Sequence, residues 1–153
     1  MEDRKLVVVG VDGSEDGLRA VKYGASFAAE TNGEVLLVHA VDDAMLAGAW
    51  GVVYDPEVLQ NAGANANEAA AAKAREIGLP GDRIRTEVVL GSPGGVLGRL
   101  SEVADLIVVG RRSVSGLERM FVGSTSVSVV ASSRCPVLVI SAAAHPQDVG
   151  NKK

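Results

Sequence analysis

Residues 4–16 read RKLVVVGVDGSED, and this passage decides the fold class. The span 4–11 predicts a strand whose valines are apolar at consecutive positions, so both of its faces must be covered, as in a parallel sheet with helices on either side. Asp12-Gly13-Ser14 ends that strand. Ser14 can cap a helix whose first turn carries Glu15 and Asp16, charges that suit the positive end of a helix dipole. Leu18, Val21, Ala25 and Ala28 then fall on one helical face, and Asn32-Gly33 supply a stop. A buried strand, a glycine-containing turn and an amphipathic helix make the opening unit of an α/β protein.

The same unit recurs outward from this passage. EVLLVHAV (34–41) predicts strand two, and DDAMLAGAWGVVY (42–54) has no clean period and reads as a loop. Asp55-Pro56 is a cap followed by proline at the first helical position, and the helix it starts runs through an alanine-rich stretch to Gly78. RIRTEVVLG (83–91) is strand three. Ser92-Pro93 begins a helix expected to bury Val96, Leu97, Leu100 and Val103. DLIVVG (105–110) is strand four, a helix is expected from Ser124 to Ser133, and CPVLVIS (135–141) is strand five.

Strands that alternate with helices predict an α/β fold: a five-stranded parallel sheet of order 3-2-1-4-5, Rossmann-like, with right-handed crossovers and helices on both faces. The expected organisation is one domain over residues 1–142 and a polar tail over 143–153. Apolar residues are 47% of the chain but aromatics only 3%, so the core must be aliphatic. The net charge of −4 carries no basic cluster, which argues against nucleic acid and against an anionic membrane surface. No apolar run reaches the roughly 18 residues of a membrane span, and the amino terminus lacks a secretory pattern. Cys135 alone cannot make an internal disulfide, which suits a cytoplasmic location. The two histidines, His39 and His145, are too far apart to suggest metal-ligand spacing.

In the predicted strand order a crevice opens between strands one and four, where ligands of such sheets bind. The loops flanking it, VDGSEDG (11–17) and GRRSVSGLERMFVGSTS (110–126), are the richest in glycine and hydroxyl residues. Neither is a familiar phosphate loop. No lysine follows a glycine as a Walker A loop requires, and Gly10-Val11-Asp12-Gly13 puts a carboxylate where a dinucleotide fingerprint brings backbone to pyrophosphate. Strand three ends in Leu90-Gly91, without the aspartate of a receiver domain. What remains is the spacing G-x2-S-x9-G-S, formed by Gly110, Ser113, Gly123 and Ser124. Amides and a hydroxyl at a helix entrance suit phosphate. Asp12, across the crevice, suits ribose hydroxyls or an adenine amino group. His39 reads as the end of a buried strand, Arg111 and Arg112 as solvated charges, and Cys135 as a small buried hydrophobe. Trp50, Tyr54 and Met45 either cover a ligand or pack on the neighbouring helix.

Taken together, VVVGVDGS, LLVHAV, GSPGGVL, DLIVVG, VGSTS and CPVLVI give a chain that resembles the universal stress proteins in their single-domain form, a fold of the adenine nucleotide alpha hydrolase type. The nucleotide-binding branch of that family carries G-x2-G-x9-G-[ST], and here Ser113 stands at the second glycine. The resemblance implies that Asp12 contacts the nucleoside and Ala40 lines the adenine. It implies that Val109, Gly110, Arg112, Ser113, Gly123, Ser124, Thr125 and Ser126 meet ribose and phosphates. The implied ligand is ATP, with Mg or Mn as its companion ion, or cyclic AMP. Also implied is a homodimer that pairs through strand 135–141. The expectation is an adenine-nucleotide sensor or regulator with at most slow ATP hydrolysis and no catalytic residue of its own. A nucleotide-free protein that acts through protein partners is the alternative that Ser113 leaves open.

Overall fold

Strands and helices alternate along the chain as the repeated unit requires. The computed structural model describes residues 3–42, 48, 51, 54–111 and 124–141. The strands are β1 (Leu6–Gly10), β2 (Glu34–Val41), β3 (Ile84–Leu90), β4 (Leu106–Arg111) and β5 (Val137–Ser141). The helices are α1 (Glu15–Glu30), α2 (Pro56–Ile77), α3 (Pro93–Leu100) and α4 (Ser124–Ser132), with a short 3-10 turn at Gly81–Arg83. Every strand pair is parallel and the order is β3-β2-β1-β4-β5, as expected. Among the described residues no helix is long and apolar enough to cross a membrane.

The run of valines in β1 shows why the sheet must be covered twice. Val7 and Val9 join Val35, Leu37 and Val108 in one core, against Val21 and Ala25 of α1 and Ala70, Ala71 and Ala74 of α2. Val8 points the other way, into a second core with Leu36, Ile107 and Val109, closed by Val96 and Leu97 of α3 and Val129 of α4. The alanine richness of α2 thus has a packing role besides its helix propensity, since small side chains let that helix lie close to the sheet.

Local signals set the helix ends. Ser14 caps α1 by accepting from the Gly17 amide. Past its other end Asn32 takes a left-handed φ of 54° and the Gly33 amide closes onto the Ala28 carbonyl. Asp55 caps α2, and Gly78 ends it at a φ of 111°, a conformation in which a Cβ is strained. β2 has the expected bounds, and the margins of the other four strands differ from the expected ones by at most two residues. At β5 the reason is visible: Pro136 has no amide hydrogen, although its carbonyl still accepts from the Ile107 amide at 3.0 Å. One core expectation is corrected. Val103 is 69% exposed, because α3 stops at Leu100 and the helical spacing ceases to apply in the turn that follows. Ala104 takes the buried place instead.

Candidate functional site

The chain leaves β1 through α1 toward β2, and leaves β4 through α4 toward β5, so the two connections diverge from neighbouring strands. The gap they leave at the carboxyl ends of the strands is a crevice of about 880 Å³. That volume lies within the usual range of small-molecule sites, roughly 300–1,000 Å³.

One wall is the loop after β1. Gly13 has a φ of 83°, and this left-handed turn allows the Asp12 carboxylate to fold over the start of α1. There Asp12 Oδ1 accepts from the Ser14 amide at 2.9 Å and from the Ser14 hydroxyl. A Cβ on Gly17 would lie 2.7 Å from the same oxygen, so a glycine in the first turn of α1 makes room for the carboxylate. Asp12 is exposed on the crevice side. A carboxylate offers about four lone-pair directions over two oxygens, so the bonds to Ser14 are compatible with accepting further donors.

The opposite wall comes from β4 and α4. Val109 is buried beneath the crevice and Gly110 lies at its edge. Gly110 has a packing reason to be glycine: a Cβ there would stand 2.6 Å from the Asp16 carbonyl oxygen and 2.7 Å from its carbon. Helix α4 begins at Ser124, and half-buried Thr125 and buried Ser126 line the crevice, so this helix meets it with its amino-terminal turn. The amides of such a turn lack partners within their own helix and attract anions. Ser92, Pro93 and Gly94 bring the start of α3 to the same place. Gly94 is closely packed, since a Cβ on it would lie 2.5 Å from the Ser128 Oγ of α4.

The floor and far side are largely apolar. Val38, Ala40 and Val41 come from the end of β2, and Leu59 and Ala62 from α2. The crevice therefore offers the Asp12 carboxylate on one wall, amides and hydroxyls on the other, and largely aliphatic surface between, to which Asp42 adds a second carboxylate just past the end of β2. It suits a ligand with an apolar ring, donor hydroxyls and an anionic end. Among the described residues no group of three or more His, Cys, Asp or Glu side chains could hold a metal ion.

Of the residues singled out in the sequence, Asp12, Ala40, Val109, Gly110, Thr125 and Ser126 all border this one crevice. Ser124 stands at the first position of α4. Arg112, Ser113 and Gly123 lie outside the described residues, as do Met45, Trp50 and the tail with His145. Arg111 is exposed at the end of β4, as a solvated charge should be. Cys135 is half-buried rather than buried, because it precedes β5 instead of entering it. Tyr54 lines the crevice. So does His39, which the sequence presented only as a strand end. Its place in the strand register was the available signal, since it lies near the carboxyl end of β2. Leu59 and Ala62 gave none, because their position depends on how α2 packs.

A model of the universal stress protein family matches residues 4–141. A universal stress protein of Methanocaldococcus jannaschii is 33% identical over 143 residues, covering 89% of this chain and 81% of that protein. One from Bacillus subtilis is 32% identical over 146 residues, covering 88% of this chain and 97% of that protein. Among solved structures, a universal stress protein in complex with cAMP superposes with a TM-score of 0.64 at 28% identity, covering 89% of this chain and 95% of the other.

Proposed function

The chain belongs to the universal stress protein family, and we propose that it binds an adenine nucleotide, ATP in the first place, in the crevice between β1 and β4. The observation that carries this reading is the pairing of Asp12 on one wall with the amino-terminal turn of α4 on the other, across an aliphatic floor. Asp12 accepts from the nucleoside and Ala40 lines the base. Gly110, Thr125, Ser126 and the segment with Arg112, Ser113, Gly123 and Ser124 surround the ribose and phosphates. The complex of a family member with cAMP supports an adenine ligand, at 28% identity to this chain. ATP is favoured over the cyclic nucleotide because the helix terminus and its hydroxyls suit a chain of phosphates. A companion Mg or Mn ion would be held chiefly by those phosphates and water, in the usual manner of magnesium.

The biological role that follows is that of a nucleotide-dependent sensor or regulator in the cytoplasm. Hydrolysis is at most slow, because phosphoryl transfer requires a positioned water and stabilised transition-state charge, and among the described residues the carboxylates and imidazole of the crevice (Asp12, Asp42, His39) follow β1 or lie at the end of β2, away from the α4 wall. A homodimer through β5 is part of the same reading. The two sheet edges differ: β3 exposes Arg85, Thr86 and Glu87 along its length and an apolar residue, Leu90, only at its carboxyl end, whereas β5 exposes Leu138 with Val127 and Val130 of α4 also exposed. Charged edges resist pairing and apolar ones invite it.

Acid denaturation of freshly purified protein, with chromatography of what is released, tests the ligand assignment. Calorimetry with ATP, ADP and cyclic AMP completes it. The expected result is a released adenine nucleotide or a binding isotherm with ATP. No release together with no binding heat for any of the three would favour the nucleotide-free protein acting through partners.

A further inference from the structure

Val11 carries the first carbonyl beyond the β1 ladder, and its peptide leads directly into Asp12. Both polar groups of Val11 are tied to β2. Its amide donates to the Val38 carbonyl at 2.8 Å, and its carbonyl lies 2.8 Å from Nδ1 of His39. A carbonyl oxygen can only accept, so the His39 proton on this side resides on Nδ1, which donates. The imidazole is itself confined. Helix α2 passes it at Gly63, where a Cβ would lie 2.6 Å from His39 Cδ2 and 3.2 Å from Cγ. The same Cβ would be 3.2 Å from Val88 Cγ1 of β3. A half-buried ring is thus held between the end of β1, the end of β2 and a glycine of α2, at the border of the crevice.

We propose that His39 is a positioning residue for nucleoside recognition: by holding the Val11 carbonyl it fixes the peptide that presents Asp12, and Gly63 is the glycine that lets its ring sit there. This rests on the nucleotide reading given above. A merely structural histidine would satisfy a strand-end carbonyl and contribute to stability alone. A positioning histidine works through Asp12, so its contribution to binding exists only while the Asp12 carboxylate is present.

The test is a double-mutant cycle with ATP as the probe, read by calorimetry, on His39→Phe, Asp12→Ala and the pair of them. Phenylalanine keeps the ring and removes the donor, whereas His39→Asn places an amide nitrogen close to where Nδ1 stands. His39→Phe is expected to weaken ATP binding about five- to tenfold, the scale of one hydrogen bond's net contribution. His39→Asn should restore affinity to within about twofold of wild type. In the Asp12→Ala background His39→Phe should cause no further loss. Should His39→Phe fail to fold, Gly63→Ala takes its place in the same cycle, since its methyl group displaces the ring while favouring the helix. Unchanged ATP affinity, or an equal loss in both backgrounds, overturns the positioning role and leaves the nucleotide site standing. Wild-type protein that binds no ATP overturns both.

Discussion

Replacing Gly110 by alanine separates two reasons for a glycine near the carboxyl end of β4, at the border of the crevice. If the residue serves only a ligand's close approach, the methyl group costs nothing until nucleotide is present. The structure gives the opposite expectation. The added Cβ would lie 2.6 Å from the Asp16 carbonyl oxygen, 2.7 Å from its carbon and 3.1 Å from its Cβ. Two of these three atoms are backbone, so no rotamer change relieves the contact, and the first turn of α1 or the end of β4 must shift. Overpacking of this kind costs roughly 1–3 kcal/mol, and the rigidity of the obstacle argues for the upper half. Against it stands a gain of about 0.5–1 kcal/mol, because glycine is the poorer strand residue. The net loss is then about 1–2 kcal/mol, which for a chain of this size lowers Tm by about 2–8 °C. The assay is thermal unfolding of protein stripped of nucleotide, because a bound ligand would raise both melting temperatures by mass action. An unchanged or raised Tm in the stripped Gly110→Ala protein would refute the packing argument. Gly110 would then be a glycine kept for the ligand alone.

Further outcomes are expected in the crevice, at the β5 edge and between α3 and α4. Asp12→Ala should weaken ATP binding about ten- to a hundredfold, the scale of a lost hydrogen bond to a charged group. Gly123→Val, at the residue before α4, should also weaken it, and calorimetry showing both affinities unchanged would remove the site assignment. Leu138→Lys puts a charge on the exposed apolar edge of β5 and should shift a dimer to monomer in light scattering; wild-type protein that is monomeric at every concentration would dispose of the dimer. Gly94→Ala should destabilise by about 1–2 kcal/mol through its contact with Ser128, and the pair Gly94→Ala with Ser128→Gly should recover part of that loss in thermal unfolding. An additive fall in the pair would show that the α3–α4 contact is not the cause.

Much of the fold was legible because several independent local signals agree. A fully apolar strand at 6–10 requires cover on both faces, and caps at Ser14, Asp55 and Ser92 mark where the covering helices begin. The boundary of α3 was less so, since Val103 keeps the helical spacing after the helix has ended. Periodicity reports which face a residue would occupy if the helix continued, and the turn into β4 is decided by long-range pairing. The Asp105 amide bonds to the Leu6 carbonyl, and the Leu6 amide to the Asp105 carboxylate. Such contacts between residues about a hundred positions apart leave no trace in a local window.

The candidate site was legible for a different reason, and only in part. Strand order places the ends of β1 and β4 side by side, so Asp12 and the residues around Gly110 and Thr125 could be brought to one crevice without knowing any side chain's direction. Composition could not say what each glycine is for. A glycine-rich loop beside a crevice invites the conclusion that its glycines admit a ligand. Yet Gly110 is crowded by the backbone of α1, Gly94 by Ser128, Gly17 by the Asp12 carboxylate and Gly63 by the His39 ring. Each is a close approach between parts of the protein, and each brings a wall of the crevice into place. The two explanations are linked physically: a crevice in which helix ends come close enough to meet one small ligand is one whose walls must first come close to one another. The glycines of such a site therefore act before any ligand arrives, and their substitution should register in the stability of the empty protein as well as in its affinity.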